Sequence, residues 1–281
     1  MKRVAIVTDS SASLPARLAR DLGVQVVRIV LALNGQVLRD GIDITPGELY
    51  GLLRHSNHIP TTSAPSIGDF LRVYASAAET ASGIVSIHMS SRLSATLNSA
   101  AAASQLVDDV QIRVLDCQTA AMGQGFVVME AARAAAEGAD LETVVARARA
   151  VASRIQLLAS IDTLEYLHRG GRIGAAARLF GTALNLKPLL AIKDGMVHPV
   201  TKVRSRRKAL ATLFQLLDEE LAGKEGIHMA VLHVAAPEEA ARLAEQLVER
   251  FHPVEMLHTE CGPVVGTHAG PGTVGVVYYS E

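Results

Sequence analysis

Val4-Ala5-Ile6-Val7-Thr8-Asp9-Ser10-Ser11 opens the chain with four apolar residues followed by four polar ones. The apolar four read as a short buried strand, and the polar run as the turn at its C-terminal end. Ser13, Pro15 and Gly23 then mark the cap, first turn and stop of a helix. The same order recurs downstream. Gly83 to His88 reads as a strand, Met89-Ser90-Ser91-Arg92-Leu93-Ser94 as its turn, and an Ala-rich helix runs to about Val107. Val110 to Leu115 is a strand ended by Asp116-Cys117-Gln118-Thr119, with helices around Gln124 to Glu137 and Leu141 to Arg154. Strand–helix alternation implies a parallel sheet with helices on both faces. Ligands collect beyond the C-terminal strand ends of such sheets. Thr8 to Ser11, Ser90 to Ser94 and Asp116 to Thr119 all fall there.

Between these units, Gln25 to Leu33 reads as one strand, and Asn34-Gly35 as a hairpin turn into Gln36-Val37-Leu38. Thr45-Pro46-Gly47-Glu48 starts a helix with a capping box. Pro60-Thr61-Thr62-Ser63-Ala64-Pro65-Ser66 reads as a stiff loop, and Ser66 with Asp69 opens a helix toward Ala81. A second half begins near Gln156, which divides the chain into 1–155 and 156–281. It holds a glycine-rich turn at Gly170 to Gly174 and a hairpin around Asp194-Gly195. Helices follow from about Ser205 to Leu221 and Pro237 to Phe251, with a strand near Met229 to Val234 between them. A final strand pair flanks Gly262 to Gly272, a segment that reads as turns rather than a helix.

Composition narrows the function. The chain has 281 residues, 49% of them apolar and 20% charged, so it can bury a core. Its 27 Lys and Arg against 28 Asp and Glu argue against nucleic-acid or anionic-membrane binding through bulk charge. Aromatic residues make up 4% and Trp is absent, which disfavours base-stacking modules. A pocket here would be lined by aliphatic side chains and Ala. No apolar run approaches the ~20 residues of a membrane span. The apolar start is too short for a signal peptide. Two cysteines, Cys117 and Cys261, make neither a disulfide framework nor a zinc site. The expectation is a cytoplasmic protein with reduced thiols.

Candidate chemistry is sparse. Ser91, Ser94, His268 and Asp9 offer the residue types of a serine hydrolase or acyltransferase, but no G-x-S-x-G surrounds either serine. Gly170-Gly171-Arg172-Ile173-Gly174 is not a phosphate-binding P-loop. The histidines, including the pair His55 and His58, give no dense metal-ligand cluster. Lys202, Arg204, Arg206, Arg207 and Lys208 form a basic run at a helix start, where cations oppose the macrodipole. It reads either as a solvated face or as a surface for an acidic partner or anionic ligand.

Several stretches together resemble one family. Thr8-Asp9-Ser10-Ser11, Thr62-Ser63-Ala64-Pro65-Ser66, Ser90-Ser91-Arg92-Leu93-Ser94-Ala95-Thr96, Gly170-Gly171-Arg172-Ile173 and His268-Ala269-Gly270-Pro271-Gly272 are similar, in order, to motifs of the DegV family. That family comprises the fatty acid-binding subunits of bacterial fatty acid kinase. The resemblance implies an α/β protein of two lobes, an N-terminal mostly parallel sheet with flanking helices and a C-terminal mixed sheet with helices. A long-chain fatty acid such as palmitate, stearate or oleate would lie between them. It implies a binding protein with no cofactor and no metal, whose partner kinase uses ATP and Mg²⁺ to phosphorylate the bound carboxyl. It also leaves room for transient membrane contact, and for a lipid-sensing regulator of the same fold. The implied carboxylate ligands are Thr62, Ser94 and His268, with Ser63, Ser91, Asp9 and Ser10 near the head group. Arg172 and Arg204 are implied contacts for the kinase or its phosphate. Ala64 stands where the family usually has Gln, and Ala95 where it usually has Gly; neither change removes an implied hydroxyl.

Overall fold

A computed structural model describes residues 3–55, 59–180 and 186–281; His58 lies outside them. Short apolar runs become strands and capped amphipathic stretches become helices. In order these are β1 (Arg3–Asp9), α1 (Ala16–Asp21), β2 (Gln25–Val27), β3 (Val30–Leu33), β4 (Gln36–Arg39), α2 (Pro46–His55) and β5 (Thr61–Ser63). Next come α3 (Ile67–Ala78), β6 (Ala81–His88), α4 (Thr96–Ser104), β7 (Ile112–Asp116), α5 (Met122–Ala136) and α6 (Leu141–Ala152). A parallel sheet runs in the order β2-β1-β6-β7. Its central strands are buried on both faces, as parallel strands require. Val7 and Ile84 pack with Phe70, Tyr74 and Ala100 of α3 and α4. Ile6 and Val85 pack on the side of α5 and α6.

Three expectations change here. Gln25 to Leu33 is not one strand. β2 pairs with β1, but the Ile29 N–H donates to Ser10 Oγ at 3.1 Å instead of to a neighbouring strand, and the chain leaves the sheet. β3 then forms a separate antiparallel sheet, β4-β3-β5. The expected loop around Thr62 contains β5, because Pro60 and Pro65 leave the three residues 61–63 free to pair with β3. Ser13 does not cap α1; it closes a 3-10 turn at Ser10–Ala12 in the left-handed region, with φ 52°.

The second half holds β8 (Gln156–Ser160), α7 (Glu165–Arg169), a 3-10 stretch at Gly174–Leu179, β9 (Leu189–Lys193) and β10 (Met196–Thr201). It continues with α8 (Arg206–Leu221), β11 (Ile227–His233), α9 (Pro237–Phe251), β12 (Glu255–Glu260), α10 (Pro263–Ala269) and β13 (Val274–Ser280). Its mixed sheet runs β10-β9-β8-β13-β11-β12. Leu213 and Leu217 of α8 and Leu243 and Leu247 of α9 cover one face. The other face presents Leu157, Leu232 and Val277 to the first half, in one core cluster with Phe126 and Val128 of α5. α5 is therefore buried along nearly its whole length, a wall shared by both sheets.

The strands flanking 262–272 do not pair with each other; β12 and β13 both pair with β11. The segment between them was expected to be turns, yet it contains α10. Gly262 is its extended N-cap, Pro263 fits its first turn, Thr267 Oγ1 donates to the Pro263 carbonyl at 2.9 Å, and Gly270 stops it with φ 79°. The basic run is partly satisfied within the fold: Arg206 pairs with Asp162 at 3.1 Å and Glu239 at 3.2 Å. No helix among the described residues is long and apolar enough to cross a membrane.

Candidate functional site

A cavity of about 370 Å³ lies between the halves, within the ~300–1,000 Å³ range of small-molecule sites. Ile29, Met89, Ala120 and Ala121 line it from the first half; Leu157, Ile161, Leu190, Ile192 and Leu232 line it from the second. Among the described residues no Phe, Tyr or Trp lines it, in keeping with the composition. Thr62, Ser63, Ser94, Arg172 and His268 also line it, so residues distant in sequence meet in one cavity.

Thr62 arrives on the edge strand β5, and His268 on α10. Thr62 Oγ1 and His268 Nε2 lie 2.9 Å apart. His268 Nδ1 is buried with no hydrogen-bond partner among the described residues. A proton on Nδ1 would thus be an unsatisfied donor, so the stable form carries its proton on Nε2. Burial, with the nearby Arg172 charge second, pushes the His268 pKa down to about 4. The imidazole is therefore neutral at pH 7, and Nε2–H donates to Thr62 Oγ1. That leaves the Thr62 hydroxyl proton free for an acceptor in the cavity.

Ser94 sits in the turn before α4. Its Oγ accepts from the Thr96 N–H at 3.2 Å and lies 2.8 Å from Thr96 Oγ1. When the Thr96 hydroxyl donates along that contact, Ser94 also has a proton to offer. Both hydroxyls are supplied from behind and can donate forward, which suits a carboxylate. Arg172 Nε donates to the Leu93 carbonyl at 3.0 Å and Nη1 to the Gly170 carbonyl at 2.6 Å. The guanidinium thus ties the glycine turn to the Ser94 turn. Ala64 and Ala95, the two departures from the family pattern, also line the cavity.

Other expected head-group residues lie elsewhere. Ser91 is exposed and its hydroxyl donates to Asp116 Oδ2 at 2.6 Å, across the β6 and β7 strand ends. Ser10 Oγ accepts from the Ile29 N–H, and its hydroxyl is directed at Asp40. Asp9 is fully buried. Its carboxylate lies 2.8 Å from His88 Nδ1 and accepts from Gln124 Nε2 at 3.1 Å and from the Ser11 N–H at 3.0 Å. Burial pushes its pKa up, but bonds from His88 and Ser11 outweigh this and hold it below the usual carboxylate value. Because the Thr8–Ser11 turn folds under its own sheet, its polar groups bond inward rather than to the cavity. Arg204 is exposed before α8 and is not among the lining residues.

These placements separate the hydrolase set, since Asp9 serves His88 and not His268. His88 Nε2 is also 2.7 Å from Ser86 Oγ, giving an acid–imidazole–hydroxyl chain that the sequence reading missed. All three side chains are sealed, and the Tyr74 hydroxyl donates to Ser86 at 2.9 Å. No substrate reaches that serine. Ser86 and His88 stand two apart on β6 and so share a face, the one signal available for them. Among the described residues, no cluster of His, Cys, Asp and Glu could hold a metal ion.

Comparison with known proteins now bears on this geometry. The family model described as "Uncharacterised protein, DegV family" matches residues 3–281. The chain belongs to the DegV family. A DegV domain-containing protein of Streptomyces coelicolor is 40% identical, over 100% of this chain and 99% of its own. A DegV family protein from Thermus thermophilus, reported for fatty acid binding, superposes with TM-score 0.94 at 38% identity, covering 99% of this chain and 100% of that one. DegV from Bacillus subtilis, described as a fatty acid binding protein, superposes with TM-score 0.93 at 29% identity over the full length of both chains. The DegV fold, a parallel N-terminal sheet and a mixed C-terminal one, is thus shared along the whole chain.

Proposed function

We propose that this protein is a carrier for one long-chain fatty acid, such as palmitate, stearate or oleate, and not a catalyst. The observation that carries the reading is the aliphatic cavity whose lining includes two hydroxyls, Thr62 backed by His268 and Ser94 backed by Thr96. A buried methylene is worth ~0.8 kcal/mol, so a tail of about fifteen contributes roughly 12 kcal/mol gross. Association and ordering remove several kcal/mol of that. Each hydroxyl bond adds only about 1 kcal/mol, somewhat more to a charged acceptor. The tail therefore sets affinity and the hydroxyls set orientation. Fatty acid binding by the Thermus and Bacillus relatives supports the same assignment.

The carrier would present its carboxyl to a partner kinase. There the carboxylate oxygen attacks the γ-phosphorus of ATP held with Mg²⁺ by the kinase, forming an acyl phosphate and releasing ADP. Neutral hydroxyls suit such cargo, because a bidentate arginine clamp would occupy both oxygens. Exposed Arg204, and Arg172 in the cavity lining, would serve the partner or the transferred phosphate.

The test is the double variant Thr62→Ala with Ser94→Ala. It should keep the fold by circular dichroism and still take up palmitate. Phosphorylation of bound palmitate by a DegV-partner kinase with ATP should fall sharply. Wild-type phosphorylation in the double variant would remove these hydroxyls from the site.

A further inference from the structure

Gly170 and Gly171 stand side by side after α7, and they are glycines for different reasons. Gly171 has φ +70°, with open space where its Cβ would be. It needs glycine for its backbone conformation. Gly170 has φ −74°, which any residue adopts. Its missing Cβ faces the imidazole of His268. A methyl group there would overlap Nδ1 and stand 2.8 Å from Cε1, with the Tyr166 carbonyl oxygen at 3.0 Å. The neighbouring ring, not the backbone, excludes a side chain at 170.

That ring has no polar anchor on the same edge, since Nδ1 is without a hydrogen-bond partner among the described residues. It is held between the bare Cα of Gly170 on one edge and the Thr62 hydroxyl, 2.9 Å from Nε2, on the other. Arg172 fixes the seat itself, bonding the Gly170 carbonyl and the Leu93 carbonyl one residue before Ser94. We propose that Gly170 is a positioning residue for the head-group site: its bare Cα seats His268 so that Nε2 reaches Thr62. The proposal rests on reading this cavity as a carboxylate site. Gly170 itself touches no ligand; it acts through His268 and Thr62.

Gly170→Ala is made alone and in a Thr62→Val background, with Gly171→Ala as a control. Two quantities are measured: the rate at which palmitate leaves for phosphatidylcholine vesicles, and the ¹⁵N resonances of the His268 imidazole. Gly170→Ala alone should speed release about tenfold and displace the Nε2 resonance. In the Thr62→Val background it should change release by less than about twofold, because the link is already cut. Gly171→Ala should lower the melting temperature and leave the His268 resonances in place. Unchanged resonances in Gly170→Ala, or an equal acceleration in both backgrounds, would overturn the proposal. Should Gly170→Ala fail to fold, adding His268→Ala removes the overlapped ring and should restore folding; continued failure overturns it. If the wild-type protein takes up no palmitate, the carrier reading fails, and the His268 resonances alone still decide the role of Gly170.

Discussion

Half-buried His268 and buried Asp40 are groups whose ionisation is set by surroundings rather than by type. Burial holds His268 near pKa 4, below the usual 6.5. Because its folded pKa is the lower one, its contribution to stability is complete above about pH 6.5 and is lost as pH falls toward 4. An NMR titration should find it neutral at pH 7 with a midpoint near 4; a midpoint at 6.5 or above would contradict the buried, Nε2-protonated ring. Asp40 has the opposite sign. Its side chain is buried, and neither oxygen has a well-formed hydrogen bond among the described residues. Burial raises its pKa to about 6, and weak bonds from the Ser10 hydroxyl and the Val264 N–H, with the Arg28 charge, pull it only part of the way back. Ionised Asp40 therefore destabilises the fold above that pH. Asp40→Asn should stabilise the protein by about 1–3 kcal/mol at pH 8 and by almost nothing at pH 4, measured by urea unfolding. An equal effect at both values would mean that the carboxylate is not the cause. The motifs pointed to Thr62, Ser94 and His268, and all three line the cavity. Ser91, Ser10 and Asp9 were misplaced because a motif marks a turn without saying which way its side chains bond.

At the scale of elements, α10 brings His268 to the cavity, and it was the element hardest to read. Gly262, Gly266, Gly270 and Gly272 suggested turns, yet Gly266 and Gly270 lie four apart on one helical face. That face is where Tyr50 of α2 and Tyr166 of α7 come close. A methyl group on Gly266 would overlap the Tyr50 ring, standing 2.6 Å from its Cζ. One on Gly270 would overlap Tyr166. The glycine content thus records close packing, which local propensity cannot reveal. Helix propensity favours Gly→Ala by ~1 kcal/mol, so a loss isolates the overlap. Gly266→Ala should destabilise by about 1–3 kcal/mol in urea unfolding, and adding Tyr50→Leu should recover part of it. Unchanged or increased stability in Gly266→Ala would show that α10 has room to spare. β5 was misread for a related reason. Two prolines forbid a long strand, but they permit the three paired residues that carry Thr62.

For the whole molecule, the alternation of strands and helices made both sheets legible, and low aromatic content foretold an aliphatic pocket. Its position was not legible, because the cavity exists only where Ile29 and Met89 of one half face Leu190 and Leu232 of the other. Nor was α5 recognisable as a shared wall. A segment that is mostly apolar, with only Gln124, Glu130 and Arg133 as larger polar residues, signals burial without naming its neighbours. A ligand sealed between the halves should stabilise them together, so palmitate should raise the melting temperature of delipidated protein in proportion to the logarithm of its free concentration. Native mass spectrometry of the purified protein tests the central claim most directly. The protein should carry a single C14–C18 fatty acid at one per chain, and delipidated protein should take up one equivalent of palmitate. Protein that appears only at its bare mass, and stays there after palmitate is added, would contradict the account.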